Sequence, residues 1–216
     1  MTAIDSNPDL SVVTAPAPAP VVGPLAGDPG NVGLPSFVVG SLALGLSLIG
    51  VVPAAAVGAT LPILLAATSI GLFIAAIWSA AIGQNAVAGI FGIFGGFWLS
   101  YCVLVLGLVH GWLGIADAAT VKSTQELYLT AWLVIVVVLT AATLHLPAAF
   151  TVIFALIDLA LLLLLIGTAQ GSTGLSKTAG FVVLAFAAVG LYLFYGTASV
   201  ATGGKGVAMG QPLARN

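Results

Sequence analysis

Charge is what this 216-residue chain has least of. Lys and Arg together number 4 and Asp and Glu 6, and no charged residue falls between Asp28 and Asp117. Charged residues are 5% of the chain, against about a quarter in a soluble globular domain. That deficit excludes a soluble fold, and the few scattered cations exclude a nucleic-acid surface. One cysteine, Cys102, excludes an intrachain disulfide. Two histidines, His110 and His145, stand without Cys or carboxylate at ligand spacing, so no metal site is expected. H-E-x-x-H, G-x-S-x-G and P-loop patterns are all missing, which argues against an enzyme, a cofactor or nucleotide-driven pumping. The first basic residue is Lys122, so the N-terminus lacks the basic region of a signal peptide.

What is present is apolar: 61% of the residues are hydrophobic. A helix needs about 20 such residues to cross a bilayer's hydrocarbon. The region 35–82 is long enough for two spans, with Pro53 and Gly58 marking the turn between them. Further spans are expected from about Val87 to Val109, Leu127 to Leu144, Ala148 to Ile166 and Ala179 to Val200. The connections read as Gly83-Gln84-Asn85, a long polar stretch from His110 to Gln125, the tight turn His145-Leu146-Pro147, and a Gly/Ser/Thr loop from Gly167 to Lys177. The expected fold is therefore an all-α integral membrane protein with six transmembrane helices in residues 28–200. Residues 1–27, rich in Pro and Ala, and residues 201–216 read as flexible tails. Six spans put both termini on one side. Lys205 and Arg215 on that side balance Lys122 and Lys177 on the other, so the positive-inside rule leaves orientation undecided.

Within the spans, small-xxx-small pairs such as Ser36/Gly40, Ser41/Gly45 and Gly92/Gly96 suit close helix packing. Phe91, Phe94, Phe97 and Trp98 crowd the third span among its glycines. They suit packing, or a ring-lined constriction that gates a lumen by dewetting. Asp158 is the one charge inside an apolar run. An intramembrane acid is either a structural group hydrogen-bonded to a neighbouring helix or a proton site on a solute path. Thr151, Ala155 and Asp158 share a helical face, with Ile157 beside it.

Three segments carry a resemblance. Asp28-Pro29-Gly30-Asn31-Val32-Gly33-Leu34, followed by Phe37, is similar to an N-P-A-P-L-G-L box leading into a first span, with Pro29, Gly33 and Leu34 as strict matches. Gly83-Gln84-Asn85 and Phe94-Gly95-Gly96-Phe97-Trp98 resemble a G-N-T-x-G and S-Y-G-x-F-W pattern in the third span. Leu191-Tyr192-Leu193-Phe194-Tyr195-Gly196 is similar to a final-span segment. Together they resemble the acetate uptake transporter family, of the succinate–acetate permease (YaaH) type. The resemblance implies a six-helix protomer with its own pore, a homohexamer, a plasma-membrane location and cytoplasmic termini. It implies a pore constriction at Phe37, Phe94 and Ile157. It implies a mouth and solute path along Asp28, Pro29, Gly33, Leu34, Asn85 and Gly95. Phe94 stands where the pattern has a tyrosine and Asp28 where it has an asparagine, so the constriction is expected to be wholly apolar and its mouth acidic.

The expected function is a permease or channel for small monocarboxylates such as acetate, with succinate a further candidate. The solute is a small organic anion or its neutral acid, with proton-linked symport through Asp158 as one mechanism. A pore for a neutral solute such as ammonia or urea, or an accessory subunit of a membrane assembly, are the competing readings.

Overall fold

A computed structural model describes residues 23, 25–53, 58 and 60–214. Tail residues 1–22, part of the Pro53–Gly58 turn, and Arg215 lie outside the described residues. Among the described residues, six helices are long and apolar enough to cross a membrane: α1 (Gly30–Ile49), α2 (Ile63–Ala81), α3 (Asn85–Val109), α4 (Ala118–Thr143), α5 (Ala148–Gln170) and α6 (Thr173–Ala201). At about 1.5 Å of rise per residue each reaches about 28 Å or more, close to the thickness of the hydrocarbon. The span count matches the sequence reading, and the ends differ for identifiable reasons.

Helix α1 starts at Gly30, and Pro35 lies inside it. Asp28 Oδ1 accepts the Gly30 N–H at 2.7 Å, which satisfies one of the donors a helix start leaves open. The expected polar stretch from His110 to Gln125 is a loop only as far as Asp117. That residue caps α4 by accepting the Thr120 N–H at 2.8 Å, and hydrogen bonds from Thr120 hold its carboxyl below the usual range. Lys122 and Glu126 then pair across one turn of α4 at 3.8 Å. The expected loop from Gly167 to Lys177 shrinks to Gly171 and Ser172. Gly171 takes a left-handed φ of 62°, the N–H of Ser172 reaches the Gly167 carbonyl at 2.8 Å, and Ser172 caps α6. This Schellman turn joins two helices with almost no loop.

The first turns of α2, Ile63–Ser69, are wound as π-helix before α-helix resumes at Ile70. Inside this wider turn Thr68 fills the space over Gly40 of α1, where a Cβ would come within 2.7 Å of its methyl group. Helices α1 and α6 approach through Gly45 and Gly180. A Cβ on either would stand 3.1–3.2 Å from the other's carbonyl oxygen. Gly40 and Gly45 therefore act as the small-residue spacing suggests. Gly92 and Gly96 do not, since their nearest neighbours leave ordinary van der Waals room. Further pairings join α5 to α6, α4 to α5 and α2 to α3. Helices α3 and α4 meet mainly through rings, Phe97 packing on Tyr128 and Trp132 at 5.9 and 5.4 Å.

Both tails have anchors. The Leu25 carbonyl accepts the Trp78 indole N–H at 2.9 Å. The segment after α6, expected as a free tail, returns across the bundle end. Met209 accepts the Ala149 N–H at 2.9 Å and Ala208 accepts the Tyr192 hydroxyl at 2.8 Å. The reason is local: the N–H groups opening α5 have no helical acceptor, and this segment supplies one.

Candidate functional site: an axial series of cavities

Among the described residues, four cavities are linked by shared lining residues, walled mainly by α1, α3, α4, α5 and α6. On the terminal side lies a vestibule of about 260 Å³ bounded by Asp28, Leu34, Gln84, Phe91, Met209 and Thr197. Phe37 and Phe94 line it and also line the next space, a neck of about 30 Å³. That volume holds one or two water molecules. Leu44, Phe97, Leu161 and Leu164 connect the neck to a second vestibule of about 220 Å³, where Tyr101, Gln125, Tyr128, Thr168 and Ser176 converge. Gln125, Thr168 and Ser176 in turn belong to a wide outer mouth of about 760 Å³ that carries Lys122 and Lys177. Acid at one end and lysine at the other give the series an electrical polarity.

The neck is built by ring packing. Phe37 and Phe94 stand edge to face at 5.3 Å, an arrangement that matches ring edge to ring face electrostatically. Phe186 of α6 lies 5.7 Å from Phe37, and Phe154 of α5 lies 5.6 Å from Phe94. Ile157 completes the wall. These side chains are 2–7% exposed, and the three constriction candidates from the sequence meet in one place. Glycines let them meet: Gly33 leaves space for the Phe91 ring, and Gly190 leaves Val38 and Phe37 room beside α6.

The other expected path residues divide. Asp28 and Leu34 line the terminal vestibule. Pro29 is fully buried, Gly33 backs onto Phe91 and Gly95 onto Phe73, and Asn85 is exposed at the start of α3. None of these four lines a cavity of the series; they shape it from behind or lie outside it. Gln84 takes the place expected of Asn85.

Asp158 also lines none of them. Its side chain turns toward α4, where Thr140 Oγ1 lies 2.6 Å from its Oδ2. The same hydroxyl lies 2.9 Å from the Val136 carbonyl. One hydroxyl has one proton to give, so both contacts are hydrogen bonds only when Asp158 is itself protonated and donates to Thr140. The geometry corrects the expected proton site on the path to an interhelical clasp at its side.

Several lining residues escaped sequence reasoning. Tyr101 was legible in principle, since it falls on the face of Phe94, Phe97 and Trp98 at helical spacing. Phe186, Phe154, Tyr128 and Gln125 come from other helices and carry no local signal.

Six apolar helices among the described residues define a multi-pass membrane protein, and its cavities share a ring-walled neck. The chain belongs to the GPR1/FUN34/yaaH family, whose model matches residues 13–207. It is 30% identical over 105 residues to acetate permease A of Emericella nidulans, a stretch covering 45% of this chain and 34% of that protein. The match thus spans about a third of the relative's length. The fold is that of the bacterial acetate channel SatP, with a TM-score of 0.74 at 23% identity over 85% of this chain and 99% of that one.

Proposed function

We propose that this protein is a plasma-membrane permease or channel for small monocarboxylic acids, acetate first among them, and that the solute crosses the neck as the neutral acid. The observation that carries the reading is the neck itself: about 30 Å³, walled by Phe37, Phe94, Ile157 and Phe186, between two roomier vestibules. The names of the matched relatives, an acetate permease and an acetate channel, support the solute class.

Magnitudes favour the neutral form. Moving a carboxylate into a low-dielectric medium costs on the order of 20 kcal/mol before relaxation and still several afterwards. No lysine or arginine lies in the neck to offset this. Protonating a carboxyl of pKa about 4.3 at pH 7 costs only about 3.7 kcal/mol. The acid then carries its own proton, so uptake is proton-linked without a titrating side chain on the path. In this reading Asp28 and the wide lysine-bearing mouth set the local solute concentration, and the protein makes and breaks no covalent bond. Assembly as a homohexamer with cytoplasmic termini rests on the family resemblance alone.

The test is uptake in proteoliposomes with an internal pH dye: acetate and protons should enter together, in equal numbers. Acetate flux that follows membrane potential, with no acidification, would assign transport to the anion. The rival reading, a pore for ammonia or urea, draws support from the neck's apolar wall. Competition decides, because excess urea or ammonium should leave acetate uptake unchanged.

A further inference from the structure

The chain beyond α6 crosses the terminal end of the bundle as a strap, residues 203–214, and its fastenings are specific. The Met209 carbonyl accepts the Ala149 N–H at 2.9 Å, and the Ala214 N–H donates to the Leu144 carbonyl at 2.9 Å. The Ala208 carbonyl accepts the Tyr192 hydroxyl at 2.8 Å. Val207 fills a notch left by Gly196 of α6, where a Cβ would stand 2.5 Å from the Val207 methyl group. Gly210 passes over the start of α5 with a left-handed φ of 78°, and a Cβ there would stand 3.0 Å from that of Ala148.

This strap reaches the solute path. Met209 lines the terminal vestibule, whose outer end also carries Asp28, Gln84, Leu146 and Thr197. Those four lie at helix ends or in the turns between helices, whereas Met209 is brought there by the strap. The fastening is also releasable. Ala149, Leu144 and Tyr192 are all partly or well exposed, so water can take over their hydrogen bonds when the strap leaves and no buried group is stranded. Most strap residues are exposed as well. A segment with few buried contacts and exposed backbone hydrogen bonds opens at the low end of a protein's local stabilities.

We propose that this strap is a gate on the terminal vestibule, with Met209 as its closing side chain. Latched, it sets a flexible apolar thioether side chain in the mouth and slows entry of the solute; released, it leaves the way to the neck open. The inference rests on the monocarboxylate reading above. Val207 in the Gly196 notch is the latch, because it is the strap contact that a single methyl group would abolish.

The experiment uses the full chain in proteoliposomes. Gly196→Ala fills the notch with a residue that helices favour and alters neither the strap nor a residue lining the vestibule. Gly210→Ala dislodges the strap independently, through its left-handed φ and its approach to Ala148; if one variant does not fold, the other carries the test. In hydrogen–deuterium exchange, the Ala149 amide should exchange faster in each variant than in the wild type, because its acceptor has left. An open form that makes up about 10% of the wild-type molecules means that freeing the strap should raise initial acetate uptake up to about tenfold. Gluconate should stay out, since the neck is intact. Faster exchange with acetate uptake unchanged or lowered makes the strap a brace and overturns the gate. Exchange as slow as in the wild type overturns the latch, and entry of gluconate would place the change in the neck and overturn the gate too. With wild-type acetate uptake in hand, each of these results leaves the transport reading intact. Absence of acetate uptake by the wild-type protein at every pH overturns the transport reading, and the inference with it.

Discussion

Replacing Phe94 by alanine separates a neck from an ordinary core. Phe94 is 4% exposed and packs on Phe37, Phe97 and Phe154 at 5.3, 6.5 and 5.6 Å. In a sealed core, Phe→Ala costs about 3–5 kcal/mol, of which a dry cavity of about 100 Å³ accounts for about 2.4 kcal/mol at 24 cal/mol per Å³. Here the vacated space would join vestibules of about 260 and 220 Å³ on either side. Water then fills it and the cavity part of the penalty is relieved, leaving roughly 1–3 kcal/mol. The same change removes the dry barrier. Phe94→Ala should therefore raise acetate flux in proteoliposomes and admit gluconate, whereas the wild-type protein should not pass it. Reversible unfolding in mixed micelles gives the stability term on the same preparation. A loss of 4 kcal/mol or more, with flux and selectivity unchanged, would show that these rings are core packing and that the path runs elsewhere.

Three other perturbations probe other parts of the account. Asp158→Asn keeps a hydrogen-bonding partner for Thr140 and removes only the titratable proton. The pH profile of uptake should therefore stay in place, and a displaced profile would return Asp158 to the path. Thr140→Val deletes the clasp between α4 and α5 and should lower stability in micelles by about 0.6 kcal/mol, at most about 1.7; a larger loss would mean a buried charge had been stranded. Gly180→Ala puts a Cβ 3.1 Å from the Gly45 carbonyl oxygen and 2.8 Å from Leu48 and Ile49 atoms. The overpacked α1–α6 seam should lose about 1–3 kcal/mol, and an unchanged melting temperature would deny that these helices touch here.

The span count was legible because each apolar run ends at Gly, Pro or a polar cluster. Helix ends were less so. Lys122, Ser123, Thr124 and Gln125 read as loop by composition, yet Asp117 caps them into the first turns of α4. Polar residues at a helix end that leaves the hydrocarbon look the same in sequence as a connection. Phe37, Phe94 and Ile157 could be singled out by motif, whereas Phe186 could not. It sits among small residues on α6 and reaches the neck only because Gly45 and Gly180 draw that helix against α1. Asp158 announced itself as an intramembrane acid, but its facing depends on how α5 is rotated. The run Leu161 to Leu165 is apolar all round and gives no phase to read.

Uptake of labelled acetate into proteoliposomes, followed across external pH from 5 to 8 against empty vesicles, bears most directly on the neck as a path for a neutral monocarboxylic acid. The account predicts saturable, protein-dependent uptake with a proton entering for each acetate, falling about tenfold per pH unit well above the acid's own pKa. Uptake no greater than in empty vesicles at every pH would contradict it.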